Sequence, residues 1–150
     1  MLKIIETNTD EYYMKLALAE AQKAFDEGEV PVGAIIVCKN RIIARAHNLT
    51  ETLNDVTAHA EMQAITSAAD ALGGKYLINC ILYVTIEPCP MCAGALAWSQ
   101  ISKIVYGARD EKRGYHTINP AMLHPKTEVV AGVLADKAAG LIKKFFQDKR

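Results

Sequence analysis

His59-Ala60-Glu61 and Pro88-Cys89-Pro90-Met91-Cys92 hold the side chains best suited to chemistry in this chain. Zinc favours tetrahedral sites of thiolate sulfur and imidazole nitrogen, and three protein ligands leave a fourth position for water, which separates a catalytic site from a closed structural one. His59, Cys89 and Cys92 form such a ligand set, and Glu61 is a carboxylate to spare. Two thiolates and a neutral imidazole offset the charge of Zn2+, so water activation rests on polarisation and a nearby base. Glu61, two residues past the histidine, need not coordinate the metal. It can take the proton of that water and deliver it to a ring nitrogen of the substrate. Water addition at an amino-bearing aromatic carbon, followed by loss of ammonia, is hydrolytic deamination.

A Cys-x-x-Cys pair alone also fits a redox couple or half of a zinc ribbon. A ribbon needs a second Cys-x-x-Cys, which the chain lacks, and a redox reading leaves His59 and Glu61 without a role. His-x-Glu followed by Pro-Cys-x-x-Cys is the signature of zinc-dependent nucleobase deamination.

These groups must be held by an alternating set of elements. Capping-type residues Asn8, Thr9 and Asp10 precede Met14, Leu18, Ala21 and Phe25, whose spacings of three and four predict an amphipathic helix ending at Gly28. Val30 to Cys38 reads as a buried strand, Lys39-Asn40 as a tight turn and Arg41 to Ala46 as the returning strand of a hairpin. After a polar loop, Thr57 is the expected N-cap of a helix from about Ala58 to Ala71, stopped by Gly73-Gly74. Ile81 to Ile86 predicts a strand, Met91 to Ser99 an apolar helix, Ile101 to Gly107 a strand, Glu128 to Ala131 a short strand and Leu134 to Gln147 a helix. Residues 108–127 are expected to be a polar connection. The order predicts an α/β fold, a three-layer α/β/α sandwich around a mixed central sheet, with both ligand groups at helix N-termini. There the positive ends of the helix dipoles favour thiolates.

With 150 residues and 51% apolar content, the expectation is one domain over residues 1–150 with a core of its own. No basic-then-apolar leader and no apolar run near ~18 residues is present, so a cytoplasmic, non-membrane protein is expected. Cys38 and Cys80, in apolar runs, read as small buried thiols. The chain has 17 basic and 17 acidic residues, but residues 103–150 carry ten against five, a balance of +5, leaving seven against twelve, or −5, for residues 1–102. A basic C-terminal third suits phosphate contacts as well as it suits a solvated helix face. His47, His116 and His124 read as ordinary polar histidines, and Trp98 as a core or dimer contact.

The residues resemble the cytidine-deaminase-like superfamily and, within it, the bacterial tRNA-specific adenosine deaminases. Glu29-Val30-Pro31-Val32-Gly33-Ala34, Asn48, Thr57-Ala58-His59-Ala60-Glu61 and Glu87-Pro88-Cys89-Pro90-Met91-Cys92-Ala93-Gly94-Ala95 carry the superfamily likeness. Val105 to Gly114, Gly132-Val133-Leu134 and Phe145 to Arg150 resemble the tRNA enzymes more narrowly. Val56 stands where that family often has proline, and Tyr115-His116 to Leu123-His124 follows its pattern only in part. The resemblance implies a zinc-dependent homodimer that converts the wobble adenosine of a tRNA anticodon stem-loop to inosine. Val32 and Asn48 would contact the flipped base and Asp110 the sugar, while Lys112, Arg113 and the C-terminal helix would meet phosphates. A base in a loop costs less to extrude than one in a duplex. Two alternatives keep the same zinc site: a deaminase of a free base or nucleoside such as guanine or cytosine, and a silent zinc fold that binds RNA or dimerises, against which Glu61 argues.

Overall fold

Strand β1 (Gly33–Cys38) is apolar at every position, as a strand covered on both faces must be. Its alternate residues feed two cores: Ala34 and Ile36 join one cluster, Ile35 and Val37 the other. Strands β3 (Cys80–Ile86) and β4 (Lys103–Ala108) divide in the same way, Leu82, Val84, Ile104 and Tyr106 on one side, Tyr83 and Val105 on the other. With β2 (Arg41–His47) and β5 (Glu128–Ala131) they make a five-stranded sheet of order β2-β1-β3-β4-β5. Strand β1 pairs antiparallel with both β2 and β3, while β3, β4 and β5 are parallel to one another, so the sheet is mixed. The computed structural model describes residues 9–149; the capping-type Asn8 and the terminal Arg150 lie outside them.

Helices α1 (Asp10–Asp26) and α5 (Ala135–Asp148) pack on one face of the sheet; α2 (Ala60–Leu72) covers the other and packs in turn on α3 (Pro90–Ser99). The three-layer sandwich expected from the element order is the observed fold, and the turn at Lys39-Asn40 has both residues at positive φ, 51° and 64°, as a type I′ hairpin requires. Helix α1 begins where the capping residues place it, Thr9 accepting the N–H of Tyr12 at 3.1 Å.

The structure corrects three local expectations and narrows a fourth. Helix α2 starts at Ala60 with His59 as N-cap, because the Thr57 hydroxyl and N–H are both engaged by Asp55, at 2.7 and 2.8 Å. The connection after β4 contains one helical turn, α4 (Tyr115–Ile118), too short for periodicity to reveal. Of the two readings of Trp98, its 82% exposure removes the core and leaves the dimer contact: α3 is apolar all round, yet only one side of it meets the body of the protein. Cys80 is buried as expected, but Cys38 is only half-buried at the strand end beside the turn.

Candidate metal centre and active-site cleft

His59 is the N-cap of α2 and Cys89 the N-cap of α3, both with extended backbone, and neither side chain caps its own helix. Ser, Thr, Asp or Asn at these positions would be turned back onto the first-turn N–H groups; imidazole and thiol are left free to face each other. Pro90 at the first turn of α3 fixes the entry, and Cys92 sits one turn in, fully buried. The result brings His59 together with a cysteine pair 30 and 33 residues further along the chain. His59 Nδ1 lies 3.7 Å from Cys89 Sγ and 3.5 Å from Cys92 Sγ, and the three donor atoms all fall within 4.8 Å of one another.

This spacing tests whether zinc fits. Tetrahedral bonds of about 2.0–2.1 Å to nitrogen and about 2.3 Å to sulfur set N and S about 3.6 Å apart. The observed pair brackets that value, and the donor set of one imidazole and two thiols is one that zinc prefers. The side chains are also electrostatically ready. Hydrogen bonds from Cys92 and His59 hold the Cys89 thiol down at about 4, whereas its bond to Cys89, together with burial, pushes Cys92 up. The thiol–imidazole bond likewise raises His59. A bound dication would favour the deprotonated form of both thiols.

Glu61 lies in the first turn of α2, 3% exposed. Burial raises its carboxyl to about 7 against the opposing pull of its own backbone N–H and of His59, a position from which a carboxyl can both take and give a proton near neutrality.

These residues open onto a cleft of about 940 Å³. Val32, Asn48, His59, Glu61, Cys89, Asp110, Lys112 and Arg113 all line it, and Cys92 is buried below. Asn48 is steered toward Val32: its N–H donates to the Val32 carbonyl at 3.1 Å and its amide nitrogen to Val30 O at 3.3 Å. Asp110 accepts the N–H groups of Lys112 and Arg113 at 3.2 and 3.0 Å, closing a turn at the cleft mouth. Lys143 and Phe146 of α5 complete the rim, so the basic end of the chain folds back onto the same cleft.

Two groups that sequence reasoning missed are buried glutamates. Glu29, fully buried, accepts the N–H of Glu51 at 3.0 Å and both the N–H and hydroxyl of Thr52 at 2.7 Å, which fixes the loop after Asn48. Glu87, 4% exposed, does the same for the loop after β4. The signal was a charged residue at the edge of a buried apolar strand, where a carboxylate needs several donors to be tolerated.

The family model for the cytidine and deoxycytidylate deaminase zinc-binding region matches residues 7–108. The tRNA-specific adenosine deaminase of Bacillus subtilis is 47% identical over 146 residues, covering 94% of this chain and 91% of its own. The chain belongs to this family of zinc-dependent deaminases. A structure solved in a study of A-to-I editing by tRNA:A34 deaminases at the wobble position superposes on it with a TM-score of 0.81 at 42% identity, covering 87% of this chain and 98% of that one. The guanine deaminase of Bacillus subtilis is also similar, at 37% identity and a TM-score of 0.65, but covers 77% of this chain and 71% of that one. Over nearly its whole length, then, this chain is similar to tRNA-editing deaminases, and His59, Cys89 and Cys92 lie where together they could hold a metal ion.

Proposed function

We propose that this protein deaminates the wobble adenosine of a tRNA anticodon loop to inosine. The observation that carries it is the shared cleft: metal ligands, a buried carboxyl near neutrality and a rim of Lys112, Arg113 and Lys143 face one cavity. A free base carries no phosphate for that basic rim to meet, and sequence identity is 42% to the tRNA:A34 deaminase structure against 37% to the guanine deaminase of Bacillus subtilis.

His59, Cys89 and Cys92 would hold zinc, which when bound would supply the Lewis acidity that makes water a nucleophile near neutral pH. Glu61 takes a proton from the attacking water and passes it to the purine ring nitrogen beside the attacked carbon. The amine, protonated in its turn, leaves as ammonia, so adenosine and water give inosine and ammonia. Asn48 and Val32 grip the base edge and face, with Asn48 held in place by its bond to Val30. Asp110 meets the ribose, and Lys112, Arg113 and α5 hold the flanking phosphates, whose charges these cations neutralise.

The same reading makes residues 1–150 a single deaminase domain, puts it in the cytoplasm with its tRNA, and gives it a partner copy. Among the described residues no helix is long and apolar enough to cross a membrane. Met91 and Trp98, seven residues apart on α3, present a shared exposed apolar face, which supports homodimerisation. The direct test offers the protein an anticodon stem-loop with adenosine at the wobble position beside free adenine, adenosine, guanine and cytosine. Inosine from the stem-loop is expected; turnover of the free bases alone would overturn the proposal.

A further inference from the structure

Strand β3 ends at Ile86, and the next residue, Glu87, donates its N–H to the carbonyl of Ala108 at 2.8 Å, the last residue of β4. Its side chain turns away from solvent into the loop that leaves β4. Oε1 accepts the N–H of Asp110 at 3.2 Å and Oε2 accepts the N–H of His116 at 3.1 Å. Between these anchors the chain wraps the carboxylate closely. A methyl group at Gly114 would overlap both Glu87 Oε2 and the Asp110 carbonyl, so only glycine fits. The wrap is closed by Gly114 N–H to Asp110 O at 2.8 Å and by Tyr115 N–H to Pro88 O at 2.9 Å.

We propose that Glu87 is a positioning residue for the substrate: its carboxylate registers the 110–116 loop, and with it Asp110, Lys112 and Arg113, to the metal-ligand loop that holds Cys89. The proposal rests on the anticodon-loop reading above and extends it to a residue of the cleft wall whose carboxylate is spent on the loop. Two features support registration over simple filling of space. Glu87 spends both oxygens on backbone donors from one loop, and a carboxylate is the group that can accept from two separate N–H groups at once. Asp110 then relays the anchor by accepting Lys112 and Arg113 N–H. Side chains at the cleft mouth are thereby spaced from Cys89 through a short series of hydrogen bonds instead of a free loop.

The test is Glu87→Gln, which keeps the size but turns a donor toward one of the two N–H groups, measured with the zinc-loaded protein on the anticodon stem-loop. We expect KM to rise about tenfold or more, with kcat within about threefold of the unaltered chain and zinc content unchanged. Gly114→Ala approaches the same anchor from the other side and should give the same KM rise; it also carries the test should Glu87→Gln fail to fold. The double variant should be no worse than the poorer single one, because both break one anchor. An unchanged KM in folded, zinc-loaded variants would overturn the proposal, as would penalties that multiply in the double variant, or loss of zinc with KM intact. If the unaltered chain makes no inosine from the stem-loop, the anticodon reading fails and takes the proposal with it; if it does and KM is indifferent to Glu87, only the proposal fails.

Discussion

His59 Nδ1 stands 3.5 Å from Cys92 Sγ although 33 residues separate them, and the contact joins the N-terminus of α2 to the first turn of α3. Removing either partner should open the zinc site. Cys92→Ala and His59→Ala are expected to purify with well under one zinc per chain, and the same variants should lose deamination. Metal analysis after dialysis checks this, and a fully loaded Cys92→Ala would remove Cys92 from the ligand set.

Glu61 should separate metal binding from catalysis. Glu61→Gln is expected to keep its zinc and to lose roughly 10²–10⁴-fold in kcat, the usual worth of a positioned acid–base group. Metal analysis and single-turnover deamination on the same preparation decide the matter; near-normal turnover would strip Glu61 of its role.

Glu29 should matter to stability and do so in a pH-dependent way. Burial would raise its carboxyl, but the N–H of Glu51, the N–H and hydroxyl of Thr52 and the hydroxyl of Thr50 together bring it below 4.5. A carboxyl lowered in the folded state stabilises above its unfolded value and loses that contribution as pH falls through the folded one. Glu29→Gln should therefore cost about 1–3 kcal/mol near neutrality, and the gap to the unaltered chain should narrow as pH drops below 4.5. Denaturant melts at pH 7 and at acid pH read the difference; a gap that widens on acidification would contradict the assignment.

The cations at the cleft mouth should make RNA binding salt-dependent. Each lost phosphate contact in Lys112→Ala or Arg113→Ala should reduce the slope of log K against log salt by roughly 0.7, the figure for single-stranded nucleic acid. Binding isotherms across an ionic-strength series supply the slopes. An affinity flat in salt for the unaltered chain would argue against phosphate recognition altogether.

Trp98, 82% exposed, is the clearest marker of a second copy. Trp98→Glu should shift the protein to a monomer while leaving its zinc content in place. Sedimentation at micromolar concentration checks both the dimer and its loss, and an unaltered chain that runs as a monomer would end the proposal of a partner copy.

Much of this protein is written in local pattern. The ligand types and their spacing, the spare carboxylate, the period-two apolar strands and the positive-φ turn at Lys39-Asn40 are short-range features, and each is legible from neighbours a few residues away. They led to zinc, hydrolytic deamination and a mixed sheet in three layers. The cap of α2 was misplaced because Thr57 is a good cap in isolation, and only the loop geometry shows Asp55 occupying it. For Trp98 the sequence leaves core and dimer contact open, because helix composition does not say which side meets the body; its exposure removes the core alternative. Tertiary structure alone decided that α5 returns to the rim of the cleft, and that Glu29 and Glu87 spend their carboxylates on loops distant in sequence. Such contacts depend on how strands are ordered in the sheet, a long-range property that no window of residues contains. Reaction type is carried by two short motifs, His-x-Glu and Pro-Cys-x-x-Cys, each legible by itself, whereas the shape that receives a substrate is made where separate loops are brought together.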